Sequence, residues 1–251
     1  MVNKSYRDGF MTGATSYESI TARKHISLIY KLEQDILSDF FKKINSHSKT
    51  VLDFACGTGR WTMFLEKYFH KVTGLDISPK MIELAQQKCK QTNFYVDDIT
   101  GDKNANLHFN DAFDVLTAFR FYKNAENELQ INATRSLQKL VKKGGYFIFD
   151  LHLNTFSIMG LIACFIRITQ LYKLLKINPL AVRTISLRRI RKIFKHSDFE
   201  IIDYFGMGIV PGRRNFTLLP TSTLMPFERW LSQHKILRNF CYNLLVFAQK
   251  K

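Results

Sequence analysis

The sequence predicts an α/β fold: a doubly wound, largely parallel sheet with helices on both faces. Three observations carry this reading. Five short apolar runs read as strands, helical patterns lie between them, and a glycine turn closes the first run. That turn follows Thr50-Val51-Leu52-Asp53-Phe54 and reads Ala55-Cys56-Gly57-Thr58-Gly59-Arg60. Gly57 and Gly59 can take backbone angles closed to other residues and let a ligand lie against bare backbone. The helix expected behind the turn offers unpaired N–H groups and a positive dipole end. The arrangement implies a nucleotide or nucleoside site at the carboxyl end of a parallel strand.

The elements follow in order. Residues 15–46 read as helical, with Ile26, Ile29, Leu32, Ile36 and Phe40 on or near one face. After strand one come a crossover helix over 62–70 and a second strand, Val72-Thr73-Gly74-Leu75-Asp76. Asp76 stands 23 positions beyond Asp53, where an acid can bind two ribose hydroxyls. It also reads as a helix cap, because Ser78-Pro79 opens the next helix, over 79–91. A third strand over 93–96 ends at Asp97-Asp98-Ile99, and a polar connector over 101–112 leads to a fourth over 113–119. An amphipathic helix over 125–142 precedes Lys142-Lys143-Gly144-Gly145, which reads as a break before strand five at 146–150. Ser186 is a good N-cap for a helix over 186–195, and 200–205 and 243–248 read as two further strands.

A chain of 251 residues holds one sizeable domain with a small appendage. Its apolar content of 46% and charged content of 23% are ordinary for a globular protein. Cys56, Cys89, Cys164 and Cys241 are widely spaced, with no Cys-x-x-Cys pair and no histidine at metal spacing. They read as reduced, mostly buried thiols, and no metal site is expected. Residues 1–10 contain no apolar run of the secretory type, so a cytoplasmic location is expected. The net charge of +16 is uneven: residues 1–150 hold 21 Lys+Arg against 17 Asp+Glu, and residues 151–251 hold 16 against 4. Such a field attracts phosphates, polyanions or an anionic membrane surface, and equally describes a solvated face. The run 156–166 is apolar almost all round and too short to span a bilayer. It reads as a lid over the substrate pocket first, with docking on a partner or peripheral membrane contact through 156–176 as the other readings.

Two nucleotide classes drop out. A nicotinamide fingerprint wants a third glycine where Thr62 stands, and a P-loop wants Gly-Lys-Ser or Gly-Lys-Thr, which is absent. The order Val-Leu-Asp-Phe-Ala-Cys-Gly-Thr-Gly-Arg, Gly-Leu-Asp-Ile-Ser-Pro-Lys-Met, Asp-Asp-Ile, Phe-Asp-Val-Leu and Lys-Lys-Gly-Gly-Tyr-Phe resembles the class I S-adenosylmethionine-dependent methyltransferases over roughly residues 15–153. The resemblance implies a Rossmann-like sheet of seven strands with the last strand antiparallel, an N-terminal helical cap (1–46), a methyltransferase domain (47–251) and an inserted helix after strand five, within about 154–184. It implies S-adenosylmethionine as cofactor. Asp53, Ala55, Cys56, Gly57 and Gly59 would face its methionine part, Asp76 its ribose, and Ile77 and Met81 the faces of its adenine. Asp98 or Asp97, with Ile99, would take the adenine amino group, and Phe119 would lie beside the sulfonium. Arg23 is either a partner for the methionine carboxylate or a solvated helix charge.

For the chemistry, His152 is the candidate base, since its ordinary pKa suits neutral pH, or else a hydrogen-bonded structural histidine. Arg120 is the candidate substrate anchor, with Arg213 and Arg214 as further anchors or plain surface charge. Strand four lacks the Pro-Pro turn of adenine- and glutamine-methylating enzymes and the Pro-Cys of the pyrimidine C5 class. The turn after strand four, Asp-Leu-His-x-Asn after strand five and the C-terminal tail resemble small-molecule methyltransferases of bacterial biosynthetic loci. The expected acceptor is therefore small or lipid-linked and anionic. An RNA methyltransferase using the basic half is the runner-up. A non-catalytic cofactor binder is the third reading, opposed by the intact Asp53, Gly57, Gly59 and Asp76.

Overall fold

The computed structural model describes residues 24–100, 113–209 and 221–251. Arg23, Arg213, Arg214 and the connector 101–112 lie outside them. The first described helix, α1 (Lys24–Lys43), buries Leu28, Ile29, Leu32, Leu37 and Phe41 at helical spacing. Then follow β1 (Thr50–Phe54), α2 (Arg60–Leu65), β2 (Lys71–Asp76), α3 (Pro79–Gln86), β3 (Thr92–Val96) and β4 (Phe113–Ala118). After β4 come α4 (Phe121–Asn124), α5 (Asn127–Leu140), β5 (Val141–His152), α6 (Ile158–Ile168), α7 (Leu171–Leu174) and α8 (Leu187–Phe194). The chain closes with β6 (Phe199–Met207), α9 (Thr221–Gln233) and β7 (Asn243–Lys250).

One seven-stranded sheet runs in the order β3-β2-β1-β4-β5-β7-β6. β1 pairs in parallel with both β2 and β4, so the winding direction reverses beside it. Such a reversal opens a crevice at the carboxyl ends of the strands. β7 inserts antiparallel between β5 and β6, with His152 opposite Asn243. Val51, Leu52, Asp53 and Phe54 are all buried, as expected for a strand covered on both faces. One core cluster joins the sheet to α5 and α8 through Leu137, Phe147, Phe149, Ile190 and Phe194. The other joins it to α1, α2 and α9 through Leu32, Phe41, Trp61, Ile148, Leu224 and Phe247.

Both crossover helices and β5 differ clearly in extent from the sequence reading. The crossover helices are shorter, because turns leave them early. Tyr68 N and Phe69 N both bond Leu65 O, and Glu66 accepts from Gln91 N and Thr92 Oγ1, pulling the start of β3 towards the end of α2. β5 begins at Val141, not after the glycine pair. Gly144 takes φ +74°, and a register shift opposite Phe113–Val115 lets the strand run through the expected break as a bulge.

Candidate functional site

The glycine turn leaves β1 through three residues at positive φ: Ala55 (54°), Gly57 (54°) and Gly59 (77°). Their surroundings differ. A Cβ on Gly59 would sit 2.9 Å from Ala85 Cβ and 3.1 Å from Cys89 Sγ, so this glycine lets the turn close against α3. A Cβ on Gly57 would meet nothing within 4 Å, so bare backbone faces open space there. Ala55 holds its angle without glycine's freedom, at a cost of about 1 kcal/mol.

Asp76 ties this turn to the next one. Gly57 N–H donates to its Oδ2 and Ser78 N–H to its Oδ1, both at 2.9 Å. Burial pushes the Asp76 carboxyl up, and the N–H groups of Ser78 and Gly57 oppose the rise. The carboxylate retains acceptor capacity beyond these bonds. The cap of α3 is Ser78, whose hydroxyl accepts from Met81 N, with Pro79 as the first helical residue.

Asp53 does not face the turn's open side. It is 1% exposed and receives Thr62 Oγ1–H on Oδ2 (2.6 Å) and Thr117 Oγ1–H on Oδ1 (2.8 Å). Burial raises its carboxyl to about 6, against the two hydroxyls. The threonine standing where a nicotinamide fingerprint has glycine is thus the group that holds Asp53, which braces β1 against β4 and α2. Cys56 is half-buried, with its thiol pushed well up by burial. At the adenine end Ile77 is half-buried, while Met81 and Ile99 are buried. Asp97 accepts Asp98 N–H, and Asp98 accepts from Thr100 N and Oγ1. Both acids are half-buried beside Asp76, whose carbonyl accepts Asp97 N–H at 3.2 Å. Phe119 stacks on Trp61, ring centroids 4.0 Å apart and 18° from parallel.

A second constellation gathers at the ends of β4 and β5. Arg120 sits at φ 63°, turning the chain out of β4 into α4. Its Nη1 donates to Asp150 Oδ2 at 2.6 Å and to His152 Nδ1 at 2.8 Å. Its Nη2 reaches Glu33 Oε2 at 3.5 Å, and its backbone N–H bonds Asp150 Oδ1. Both acid side chains are fully buried. Arg120 is therefore committed to holding two buried carboxyls and is not the open substrate anchor expected from sequence. Asn243 Nδ2 donates to the other oxygen of Glu33, joining β7 to α1.

His152 is also committed. Arg120 can only donate, so Nδ1 accepts, and the neutral ring carries its proton on Nε2, 3.0 Å from Tyr242 Oη. Both ring nitrogens are engaged in this arrangement, which favours the hydrogen-bonded structural reading of His152 over the base reading. Glu33, Tyr242, Asn243 and Lys123 were missed by the sequence reading. Lys123 is held down to about 8 by burial and by the charges of Arg120 and Arg183. One signal was available: Glu33 lies between Ile29 and Ile36 on the apolar stripe of α1, an odd place for an acid. Among the described residues no cluster of His, Cys, Asp and Glu could hold a metal ion.

Residues 51–145, from β1 into β5, match the methyltransferase domain family model. This segment carries the glycine turn, Asp76, the Asp97-Asp98 pair and Phe119. Over this segment the chain is similar to methyltransferase domains. A demethylmenaquinone methyltransferase of Staphylococcus haemolyticus is 32% identical over 117 residues, which cover 45% of this chain and 46% of that protein. An uncharacterized methyltransferase of Schizosaccharomyces pombe is 30% identical over 126 residues, 46% of this chain and 42% of that one. The chain thus spans under half the length of these curated relatives. Among solved structures, magnesium protoporphyrin IX methyltransferase of Synechocystis with bound S-adenosylhomocysteine aligns over 98% of this chain and 97% of its own. Its TM-score is 0.62 at 20% identity, a likeness of fold.

Proposed function

We propose that this protein transfers a methyl group from S-adenosylmethionine to an oxygen or nitrogen atom of a small-molecule acceptor, anionic or lipid-linked. The observation that carries the reading is the Gly57 backbone facing open space beside the Asp76 carboxylate, at the reversal of the sheet. The residues present fit the cofactor: bare backbone for its methionine part, Asp76 for its ribose hydroxyls, Ile77 and an acid of the Asp97-Asp98 pair for its adenine. Bound there, it supplies an already activated methyl group, so the protein's task is mainly alignment. The demethylmenaquinone and magnesium protoporphyrin enzymes named above act on small molecules, which supports that acceptor class. The basic residues beyond 150 support an anionic one.

The deciding experiment uses S-adenosylmethionine with a labelled methyl group, incubated with protein and cell extract that is then split into lipid, RNA, protein and small-solute fractions. Label in the lipid or small-solute fraction, lost with Asp76→Ala, is the expected result. Label in RNA would overturn the acceptor class. In calorimetric titration Asp76→Ala should weaken S-adenosylhomocysteine binding about tenfold or more, since two charge-assisted hydrogen bonds are lost along with the brace on Gly57. Unchanged affinity would remove Asp76 from the site.

We read His152 as a positioning residue. Its Nε2–H holds the Tyr242 hydroxyl oxygen beside the end of β5. His152→Ala should cut turnover about tenfold or more with cofactor affinity unchanged. His152→Gln should recover most of that loss, because a carboxamide can accept from Arg120 and donate to Tyr242. A general base would not be rescued by glutamine, so equal losses in the two variants would restore the base role.

A further inference from the structure

We infer that α6 and the turn after it form a docking surface for an anionic lipid bilayer. The inference is independent of the proposed reaction. The inner side of α6 is closed tightly onto the core: Ser157 caps it by accepting Gly160 N–H at 3.0 Å, and a Cβ on Gly160 would meet Asn154 O at 1.9 Å. Ala163 is buried with Leu153 and Val182. The helix is thus fixed in place with a chosen face outward.

That outward face is apolar. Ile158, Leu161, Ile162, Phe165 and Ile168 follow one another at helical spacing, and each is roughly half exposed or more, Ile168 at 81%. Leu174 (79% exposed) and Leu175 continue the patch past the helix end. A surface this apolar is unusual unless something covers it. Charge identifies the occupant. Exposed Arg167, Lys173 and Lys176 border the patch, and the guanidinium of Arg188 lies 5.1 Å from the Phe156 ring centre. No Asp or Glu occurs anywhere from 151 to 197, while nine Lys and Arg do. A protein partner that buried this stripe would have to match apolar groups and a one-sided cationic rim together. A bilayer with anionic headgroups offers both in one plane: acyl chains for the stripe and phosphates for the rim. Among the described residues no helix is long and apolar enough to cross a membrane, and α6 has only 11 residues, so the helix lies in the interface plane.

Flotation of the whole chain on sucrose tests this, with vesicles of phosphatidylcholine alone and of phosphatidylcholine with phosphatidylglycerol. The protein should float with the mixed vesicles, and about 0.5 M salt should weaken that binding by screening its cationic part. Leu161→Glu/Phe165→Glu should reduce the bound fraction about tenfold or more, at an unchanged melting temperature because both side chains already face outward. Lys173→Glu/Lys176→Glu should lose the preference for the anionic lipid without touching the apolar stripe. The inference is overturned if the wild type stays at the bottom with mixed vesicles, or if the Leu161/Phe165 variant floats equally well. It is overturned likewise if sedimentation shows a dimer that this variant dissolves while flotation is absent; a second copy would then cover the face.

Discussion

Replacing Arg120 by methionine should lower the stability of the protein by about 3–5 kcal/mol, read by urea unfolding. The reason is the pair of acids that share this one guanidinium. Glu33 and Asp150 have side chains with no solvent exposure, and they come from α1 and β5, two elements that meet at Arg120. A methionine fills comparable space but leaves both carboxyls without the cation that offsets their desolvation, and breaking a buried ion pair costs far more than its net worth. The same change removes the donor that sets the His152 tautomer. Adding Glu33→Gln to the methionine variant should restore about 1 kcal/mol or more, because one buried acid is then gone and the two sites are coupled. A loss below about 1 kcal/mol for Arg120→Met would mean that water or other groups carry these acids.

Glu33→Gln alone should change how stability depends on pH. Burial pushes the Glu33 carboxyl up from 4.5 to about 7; Arg120 opposes this, and the nearby Asp150 adds to it. The folded protein thus holds this proton more tightly than the unfolded chain does. That contribution is full below the unfolded carboxyl value and is lost as pH rises through the folded one, a window from about 4.5 to about 7. The wild type should therefore lose stability relative to the glutamine variant across this window, by an amount on the order of 1–3 kcal/mol, and run parallel to it above. Unfolding titrations of both proteins near pH 5 and near pH 8 measure it. Parallel curves across the window would show Glu33 ionised throughout, with Arg120 outweighing burial.

What was legible in the chain is what nearest neighbours decide. Val51 to Phe54 followed by Gly57 and Gly59 can hardly be anything but a buried strand and a positive-φ turn. Ser78-Pro79 and Ser186 open helices because a hydroxyl and a missing N–H suit the first turn. The motif spacing from Asp53 to Asp76 and on to Asp97-Asp98 carried the resemblance to methyltransferases, and with it the antiparallel last strand that no local pattern demands. Positive φ at Gly57 and the bare backbone beside it needed only the residue type.

The remaining features depend on pairings across long stretches of chain. Whether Asp53 points to a ligand or to Thr62 and Thr117 is settled by how β4 and α2 pack beside β1. His152 looks like a base in isolation; the antiparallel insertion of β7 brings Tyr242 to one side of its ring, and Arg120 takes the other. Glu33 meets Arg120 across 87 positions and Asn243 across 210. The sequence by itself determined the order of the strands, the caps, the glycine turn and the resemblance to methyltransferases, because those follow from local geometry and spacing. Only the tertiary structure decided which charges pair, which face of α6 is outward and what each site residue touches. Those outcomes are set by desolvation and packing among residues that the chain keeps far apart.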